Sequence, residues 1–545
     1  MPKTTETYGD FAQETQSVAA LLHKRAKEYG EKPFLLFENE KISYAQFNEL
    51  AELCSKGLQH LGVQKGTHVV LYLFNSPEWL IAFFALAKLG AVAVTVNTAF
   101  KGEALVYPIV QSESRLVITD TSLISTLGQV KERLTGVECV VAVERKAKLE
   151  SADGLWESKR LRFHELLESG AFHGSSDTPT LGDPLVMIYT SGTTGSSKGC
   201  LLPHGFALYS GFLIQDYLEY TQEDIIYTCL PLFHANALVL SMLPAMIAGA
   251  SFALSERFSA SRFWEEIVRY QATEFNFLGT ILHLLFKQPP SDYEKTHRVR
   301  VAFGAPVPKE IFSAAEERFQ VRFVEGYGLT ENSIVGLWSL QDRLEGRLRI
   351  GSMGKETPFA ELAIMDIQTG RILGAGQPGE IVSRPKLPFA MYLNYYKMPE
   401  KTIEAWQHLW FHTGDLGFKD EEGVFFFLDR VKDAIRRRGE NISSWELEKS
   451  ILNHPKIAEV GCIAVPSELG EDEVKACIVL KEGEVLDPVE FIVWCQANLP
   501  KFWVPRYIEV LDELPKTPTQ RVEKYRLKSQ WNTLSTIDLN NFKQP

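Results

Sequence analysis

The stretch RVRVAFGAPVPKEIFSAAEERFQVRFVEGYG, residues 298–328, alternates between strand-like and helix-like sequence patterns. This alternation decides the fold. Its ends, RVRVAFG and RFVEGYG, are apolar and rich in β-branched and aromatic residues, which is typical of buried strands. Its middle, PKEIFSAAEERF, has the periodicity of an amphipathic helix. Apolar strands joined by a helix predict a parallel sheet whose faces are covered by helices. Ligands of such sheets bind beyond the carboxyl ends of the strands.

The same alternation extends to both sides of this stretch. Strand-like and helix-like segments follow one another through residues 224–288, and an earlier βαβ unit covers residues 67–97. After about residue 350 the texture changes to short strands and turns, and a compact α+β pattern begins after residue 430. We therefore predict an α/β protein with two domains. The N-terminal domain (residues 1–429) contains sheets built from βα units and flanked by helices, and the C-terminal domain (residues 430–545) is a small, mobile α+β unit.

Composition narrows the class of protein. The chain has 545 residues and a formal net charge of −12, which argues against nucleic acid as the main partner. Its seven cysteines are scattered and form no CxxC pair, which favours reduced thiols, a cytoplasmic location and no metal cage. The segment Cys229–Leu254 lacks Asp, Glu, Lys and Arg. It is long enough to span a bilayer, but Pro231, His234 and Pro244 interrupt it, so strands and a helix of a core are the better interpretation and no membrane span is expected.

The segment YTSGTTGSSKG, residues 189–199, combines glycines, hydroxyl side chains and one lysine. It follows the short apolar run LVMI, a predicted strand, and precedes a run with helical periodicity, residues 202–218. Glycine lets backbone N–H groups approach an anion closely, hydroxyls add donors, and lysine adds a positive charge. The segment is not a Walker A loop, because Ser197 precedes the lysine and Gly199 follows it. An anion cradle and a flexible solvent-exposed loop are both compatible with this segment taken alone.

Three further motifs each allow two interpretations. In GYGLTEN, residues 326–332, Glu331 could hold Mg²⁺ or cap a helix. In FHTGDLG, residues 411–417, Asp415 could accept hydrogen bonds from a ribose or form a turn. The basic run within residues 428–443 could bind an anion or form a solvated face.

Together and in this order, the four motifs resemble the adenylate-forming superfamily of acyl-CoA synthetases, luciferases and peptide-synthetase adenylation domains. The resemblance covers nearly the whole chain, from Ile42–Ala51 through Leu86–Asn97 to Leu514–Lys528. The texture of Arg257–Thr273 is most similar to that of crotonobetaine/carnitine–CoA ligases and related acyl-CoA ligases.

The resemblance implies a role for each matching residue. ATP would be the nucleotide, Mg²⁺ its metal, and coenzyme A the second substrate. The residues implied for nucleotide binding are Thr190, Ser191, Gly192, Thr193, Thr194 and Lys198 around the phosphates, Gly304, Ala305, Pro306, Tyr327 and Gly328 around the adenine, Thr330 near the α-phosphate, and Asp415 and Arg430 at the ribose. The other implied residues are Glu331 on Mg²⁺, His234 at the mouth of the acyl pocket, Lys432 at the hinge between the domains, Gly439 facing the pantetheine tunnel, and Arg521 as a catalytic cation.

The implied reaction has two steps. A carboxylate attacks the α-phosphate of ATP to give acyl-AMP and pyrophosphate, and a thiol then displaces AMP to form a thioester. One position departs from the family pattern: Gln520 and Arg521 stand where a glycine and a lysine are usual. Arginine keeps the positive charge, but its planar guanidinium spreads that charge over several nitrogens, whereas lysine concentrates it on one ammonium group.

We therefore predict an AMP-forming carboxylic acid–CoA ligase. Two alternatives stay open: an acyl-AMP ligase that loads a carrier-protein thiol, and a pseudoenzyme that binds a nucleotide or acyl-CoA without adenylating. The acid is not determined by the sequence, although Phe233, His234, Phe275–Gly279 and Phe303–Gly304 predict an aromatic, rather apolar pocket. The oligomeric state is equally open, and a homo-oligomer is allowed.

Overall fold

The computed structural model describes residues 3–145, 160–168, 178–190, 196–307, 309–430, 434–468, 470–516 and 522–542. The loop residues Ser191, Gly192, Thr193 and Thr194, the expected hinge Lys432 and the expected catalytic Arg521 lie outside the described residues.

The elements up to residue 254 are α1 (Thr5–Thr15), α2 (Val18–Tyr29), β1 (Pro33–Phe37), β2 (Glu40–Ser43), α3 (Tyr44–His60), β3 (His68–Tyr72), α4 (Pro77–Leu89), β4 (Val92–Thr95), α5 (Gly102–Gln111), β5 (Leu116–Asp120), α6 (Ile124–Gly128), β6 (Cys139–Val143), β7 (Arg160–Arg162), α7 (Phe163–Glu168), β8 (Pro184–Thr190), β9 (Lys198–Pro203), α8 (His204–Tyr217), β10 (Ile225–Thr228), α9 (Ala235–Ala237), α10 (Leu243–Ala248) and β11 (Ser251–Leu254).

The elements that follow are α11 (Phe263–Tyr270), β12 (Glu274–Leu278), α12 (Gly279–Lys287), α13 (Tyr293–Thr296), β13 (Val301–Ala305), α14 (Phe312–Phe319), β14 (Arg322–Leu329), β15 (Ser333–Leu337), α15 (Leu340–Leu344), β16 (Lys355–Glu356), β17 (Ala360–Met365), β18 (Gly379–Pro385), β19 (Asn394–Tyr395), α16 (Pro399–Ala405), β20 (Trp406–Gln407), β21 (Trp410–Lys419), β22 (Phe425–Arg430), β23 (Ala434–Arg437), β24 (Glu440–Ser443), α17 (Ser444–Ile451), β25 (Ile457–Pro466), β26 (Asp472–Leu480), α18 (Pro488–Asn498), β27 (Tyr507–Val510), α19 (Lys524–Ser529) and β28 (Ile537–Asp538).

The stretch that opens the sequence argument forms a parallel βαβ unit. Strand β13, helix α14 and strand β14 occur in the predicted order, and Phe303 of β13 pairs with Val324 of β14 in parallel register. Within the described residues they belong to a nine-stranded sheet of order β16-β15-β14-β13-β12-β10-β11-β1-β2, whose central strands are parallel. The predicted α/β class is confirmed, because the apolar strands are covered by helices as the alternation required.

A second sheet carries the glycine-rich loop. Its eight described strands have the order β19-β9-β8-β4-β3-β5-β6-β7. The loop leaves β8 as expected, but it leads into strand β9 before helix α8 begins at His204. Ile188 pairs with Cys200 in antiparallel register, so the loop joins a β-hairpin rather than a strand and a helix. The run 200–203 is buried, and ladder pairing with β8 and β19 satisfies the backbone groups of this short apolar segment.

The core lies between these two sheets. Helices α4 and α8 are buried along nearly their whole length, and they share one apolar cluster with strands of both sheets. The uncharged segment 229–254 contributes α9, a π-helical turn at Leu238–Met242, α10 and strand β11 to the same cluster. No helix among the described residues is long and apolar enough to cross a membrane.

The last part of the chain has a core of its own. Strands β25, β26, β27 and β28 form one described sheet there. Leu447, Phe491 and Ile508 are among the buried apolar residues of this second core. The β23–β24 hairpin packs beside it. Phe100 from the larger part approaches Trp503 with ring centroids 6.1 Å apart, so the two parts meet through aromatic contact.

Candidate active site

A cavity of about 1360 Å³ lies beyond the carboxyl ends of the parallel strands. The ends of β8, β12, β13 and β14 reach it through Thr190, Leu278, Ala305 and Tyr327. The carboxyl ends of the strands bring the motifs at β8 and β14 to this cavity. Asp415 and Arg436 reach it instead from the antiparallel strands β21 and β23.

On one side of the cavity, a tyrosine is hydrogen-bonded both to a lysine and to a carboxylate. Lys198 Nζ donates to the Tyr395 hydroxyl at 3.0 Å and lies 4.1 Å from the centre of its ring. The Tyr395 hydroxyl donates to Glu331 Oε1 at 2.8 Å, and the Thr190 hydroxyl donates to the same oxygen at 3.4 Å. Burial and the negative charge of Glu331 raise the pKa of Tyr395 far above its usual range, so the hydroxyl keeps its proton.

Sequence reasoning missed Tyr395. It lies on the two-residue strand β19, and it reaches the site because Tyr395 pairs with Cys200 of β9. No local motif marks this pairing, which joins positions nearly two hundred residues apart.

The expected ribose site is built on β21. Asp415 is buried, and the Tyr327 hydroxyl donates to its Oδ2 at 2.7 Å. Glu380 of β18 fixes the turn before it, because it accepts a hydrogen bond from the Gly414 N–H at 2.9 Å and lies 2.8 Å from His412 Nδ1. Arg430 pairs with Asp415 across the β21–β22 ladder, which places its backbone beside the carboxylate.

Close backbone packing forms the expected adenine side. Gly304 lies against β12 so tightly that a Cβ atom there would be 2.1 Å from the Phe277 carbonyl oxygen. Gly328 is equally confined, since its Cβ would be 1.7 Å from the Ser333 carbonyl oxygen. Replacing either glycine with a residue that has a side chain would therefore push the neighbouring strands apart. Ala305, Pro306 and Thr330 line the same cavity.

His234 meets the C-terminal part of the chain at the other side of the cavity. Its Nε2 lies 2.9 Å from Glu440 Oε2, and the Gly439 N–H donates to Glu471 Oε2 at 3.0 Å. Burial lowers the pKa of His234, but the negative charge of Glu440 and its hydrogen bond to the ring together outweigh this effect and leave the pKa raised. The pair therefore favours a charged imidazole here.

The basic run does not present three equivalent cations. Arg437 is buried, donates to the carbonyls of Phe502 and Val504, and forms an ion pair with Glu473 at 2.5 Å. From the sequence, this basic run could either bind an anion or form a solvated face, and neither interpretation holds for Arg437, because its guanidinium is buried and engaged by these three residues. Arg436 lines the cavity.

The acyl side also differs in detail from the sequence interpretation. His234, Leu278, Gly279, Phe303 and Gly304 line the cavity, together with Asn236, Val239 and Leu240. Phe233, Phe275 and Phe277 instead have their side chains in the buried core. No cluster of three or more metal-ligating His, Cys, Asp or Glu side chains occurs among the described residues.

Comparisons with known proteins agree with this geometry. A family model described as AMP-binding enzyme matches residues 22–393, and a model of the AMP-binding enzyme C-terminal domain matches residues 446–521. The chain therefore belongs to the AMP-binding enzyme family.

Among similar curated proteins is crotonobetaine/carnitine–CoA ligase of Salmonella typhi, which is 32% identical over 523 residues, 94% of this chain and 99% of that protein. Among solved structures, a double mutant of o-succinylbenzoate CoA synthetase from Bacillus subtilis bound with its product analogue has a TM-score of 0.79 at 25% identity, covering 93% of this chain and 97% of that chain. The same enzyme in complex with AMP has a TM-score of 0.65 at 25% identity, covering 93% of this chain and 98% of that chain.

Proposed function

We propose that Lys198, Glu331 and Asp415 form the ATP site of an AMP-forming carboxylic acid–CoA ligase. The chain is an enzyme of the acid–thiol ligase type, which activates a carboxylate with ATP through acyl-AMP and then transfers the acyl group to CoA. The observation that carries the residue assignment is the Lys198–Tyr395–Glu331 chain, which lies in the same cavity as the hydrogen bond from Tyr327 to the buried Asp415.

The first step makes an acyl phosphate anhydride. A carboxylate oxygen bonds to the α-phosphorus of ATP, the bond to the β-phosphate bridging oxygen breaks, and pyrophosphate leaves. Lys198 would hold the departing phosphates, and backbone N–H groups of the glycine-rich loop would add donors around them. Asp415 would accept hydrogen bonds from the ribose hydroxyls, with Tyr327 holding the carboxylate in place.

The residues present fit a magnesium ion bound through the nucleotide. Mg²⁺ usually takes one or two protein carboxylates together with phosphate oxygens and water, and Glu331 supplies a carboxylate at the phosphate side of the cavity. When bound, Mg²⁺ would neutralise phosphate charge and favour departure of pyrophosphate. Tyr395 and Thr190 would orient the Glu331 carboxylate by donating hydrogen bonds to it.

The second step joins the acyl group to sulfur. The thiol sulfur bonds to the carbonyl carbon, the bond to the AMP oxygen breaks, and the thiol proton passes to solvent or a base. We assign residues 430–545 to a domain that turns about Lys432 between the two steps, with Gly439 beside the thiol channel and Arg521 facing the acyl group in the first step only.

Two observations support this arrangement of the second step. The TM-score is higher against the synthetase bound with its product analogue, 0.79, than against the same enzyme with AMP, 0.65, at nearly equal coverage. The Ser197 N–H donates to Glu446 Oε1 at 2.5 Å, and His234 contacts Glu440. Contacts between α17 or the β23–β24 hairpin and the larger part must break if the small domain rotates.

A pyrophosphate-release assay tests the proposal. Purified protein is given ATP, Mg²⁺ and a panel of acids, including crotonobetaine and carnitine because a relative is named for them, and then CoA or a carrier protein as acceptor. Asp415→Ala is the site control, since loss of a charge-assisted acceptor worth roughly 1.5–3 kcal/mol should raise KM for ATP at least about tenfold. Unchanged kinetics of Asp415→Ala would place the nucleotide elsewhere. Cytoplasmic location and any homo-oligomer remain predictions from the sequence.

A further inference from the structure

The wall of the cavity next to His234 is uncharged. Asn236, Val239 and Leu240 form it, with Phe303 from the end of β13. Ionisable side chains line other parts of the cavity, among them Lys198 and Glu331 at the phosphate side and Asp415 at the ribose side. A charged acyl group packed against these four residues would find no counter-ion among them, so burying it there would cost free energy.

A buried polar side chain, Asn276, contacts this wall, and its orientation is fixed by a neighbouring backbone carbonyl. Asn276 of β12 is 1% exposed, and its Nδ2 donates to the Leu240 carbonyl oxygen at 3.1 Å. A carbonyl oxygen only accepts hydrogen bonds, so Asn276 must present its amide nitrogen on this side.

The same nitrogen then sets the orientation of Asn236. Asn276 Nδ2 donates to Asn236 Oδ1 at 2.8 Å. Asn236 must therefore direct its oxygen toward Asn276, which leaves its Nδ2 as the group that can serve a ligand. The backbone of Asn236 is held as well, since its carbonyl accepts from the Ser241 hydroxyl at 3.0 Å.

This arrangement of Asn276 lowers the stability of the folded protein. Asn276 Oδ1 is buried with no hydrogen-bond partner among the described residues, although buried polar groups are normally paired. A leucine at position 276 would avoid this cost but could not orient Asn236. The free amide N–H groups of Asn236 thus lie on an otherwise apolar wall of the cavity.

We infer that Asn236 is a specificity-determining residue that donates a hydrogen bond to an oxygen acceptor on the acyl group, with Asn276 as its positioning residue. The substrate class is an uncharged acyl chain or ring that carries a carbonyl, ether or similar oxygen, rather than a plain hydrocarbon acid or a betaine. This inference rests on the proposed function, since it assigns the wall beside His234 to the acyl group.

Acids matched in shape test the inference. Hexanoate is compared with its 4-oxo and 5-oxo derivatives, and 3- and 4-ethylbenzoate with the corresponding methoxybenzoates, by pyrophosphate release. We expect at least one oxygen-bearing acid to exceed its isostere in kcat/KM by about tenfold or more, because a site built to hydrogen-bond a substrate rejects the analogue that lacks the group. The preference should vanish in Asn236→Leu, and in Asn236→Asp, which keeps the acceptor for Asn276 but removes the donor.

Two further variants separate specificity from packing. Asn276→Leu should reduce the preference while both acids are still activated. Val239→Ala enlarges the same wall without changing its polarity, so it should change both acids in parallel and leave their ratio intact. Equal kcat/KM within every matched pair of the wild type, or an unchanged ratio in Asn236→Leu, would overturn the inference.

A binding measurement keeps the test independent of turnover. N-acylsulfamoyl adenosines that carry the same paired acyl groups mimic acyl-AMP, and calorimetry gives the ratio of their Kd values for wild type and Asn236→Leu. If no acid releases pyrophosphate and neither analogue binds, the proposed function fails. If acids are activated and the analogues bind without discrimination, only the inference about Asn236 fails.

Discussion

Tyr395 shows how one hydroxyl can connect a cation and an anion of the same site. Its oxygen accepts a hydrogen bond from Lys198 and its O–H donates one to Glu331, so Tyr395→Phe would remove a partner from each. We expect KM for ATP to rise about tenfold, the scale of one hydrogen bond to a charged group. Tyr396→Phe is the matched control, because the Tyr396 hydroxyl contacts Glu113 Oε2 at the surface. Equal ATP kinetics of both variants would remove Tyr395 from the site.

Glu325 is a second residue whose environment makes a measurable prediction. Burial raises the pKa of Glu325 from 4.5 to about 7, although the Val307 N–H donates to its Oε1 at 2.8 Å. Between these values the folded protein binds more protons than the unfolded chain, so the free energy of unfolding falls as pH rises toward 7. Glutamine can still accept from Val307 and carries no charge.

Glu325→Gln should therefore be more stable than wild type at pH 8, by as much as about 3 kcal/mol, and nearly equal to it at pH 5. Chemical denaturation of both proteins at both pH values measures the difference, and titrations elsewhere cancel in the comparison. A stability difference that does not depend on pH would contradict the assigned titration.

At the scale of elements, the β23–β24 hairpin determines how the small domain meets the cavity. Its two-residue turn, Arg438 and Gly439, has φ values of 55° and 79°, the left-handed pair that a tight hairpin needs. A Cβ atom on Gly439 would lie 2.4 Å from Leu278 Cδ1. An added methyl group would therefore force either the Leu278 side chain or the hairpin to move.

We expect Gly439→Ala to retain acyl-AMP formation and to slow thioester formation at least about tenfold, because a displacement of this size disturbs positioning in only one arrangement of the domains. Pyrophosphate release and CoA-thioester formation are measured separately. Gly483→Ala is the control, since Gly483 has a similar φ of 78° but no atom within 4 Å of its Cβ position. If both variants lose the two steps equally, backbone strain rather than contact with Leu278 explains the effect.

At the scale of the whole molecule, the proposed first step takes a cation from the C-terminal part of the chain, and two candidates for it follow from the sequence. Lys524 Nζ donates to the Ser444 hydroxyl at 2.6 Å and pairs with Glu448 Oε1 at 2.7 Å. Ser444 and Glu448 lie on α17 of the same domain, so rotation of this domain as a unit would carry the contacts with it. Arg521 therefore remains the stronger candidate, although it lies outside the described residues.

Arg521→Ala should slow acyl-AMP formation about a hundredfold, the effect of removing one donor that stabilises developing charge. Thioester formation from preformed acyl-AMP should hardly change, and Arg521→Lys should stay active. Single-turnover pyrophosphate release compares Arg521→Ala with Lys524→Ala. If the rate of pyrophosphate release is lost in Lys524→Ala but unchanged in Arg521→Ala, the catalytic cation is Lys524.

The sequence by itself determined the α/β class and most of the elements of the nine-stranded sheet. Strand and helix periods are local properties, so the segment 298–328 could be divided correctly before any contact was known. The motifs around Lys198 and Glu331 were also visible, because residues that follow apolar strands of βα units gather at the carboxyl ends of the strands. The Asp415 motif was visible as a glycine-flanked turn, although its strand β21 is antiparallel to its neighbours.

Only the tertiary structure decided the features that depend on pairing between distant segments. Pairing of β9 with β8 and β19 made a hairpin of the strands on either side of the glycine-rich loop and brought Tyr395 to Glu331. Contacts with Glu473 and two carbonyls buried Arg437, although its neighbours in sequence suggested an exposed basic run. The orientation of Asn236 likewise depends on Asn276 and the Leu240 carbonyl, and such hydrogen bonds between strand and helix leave no period or motif in the sequence.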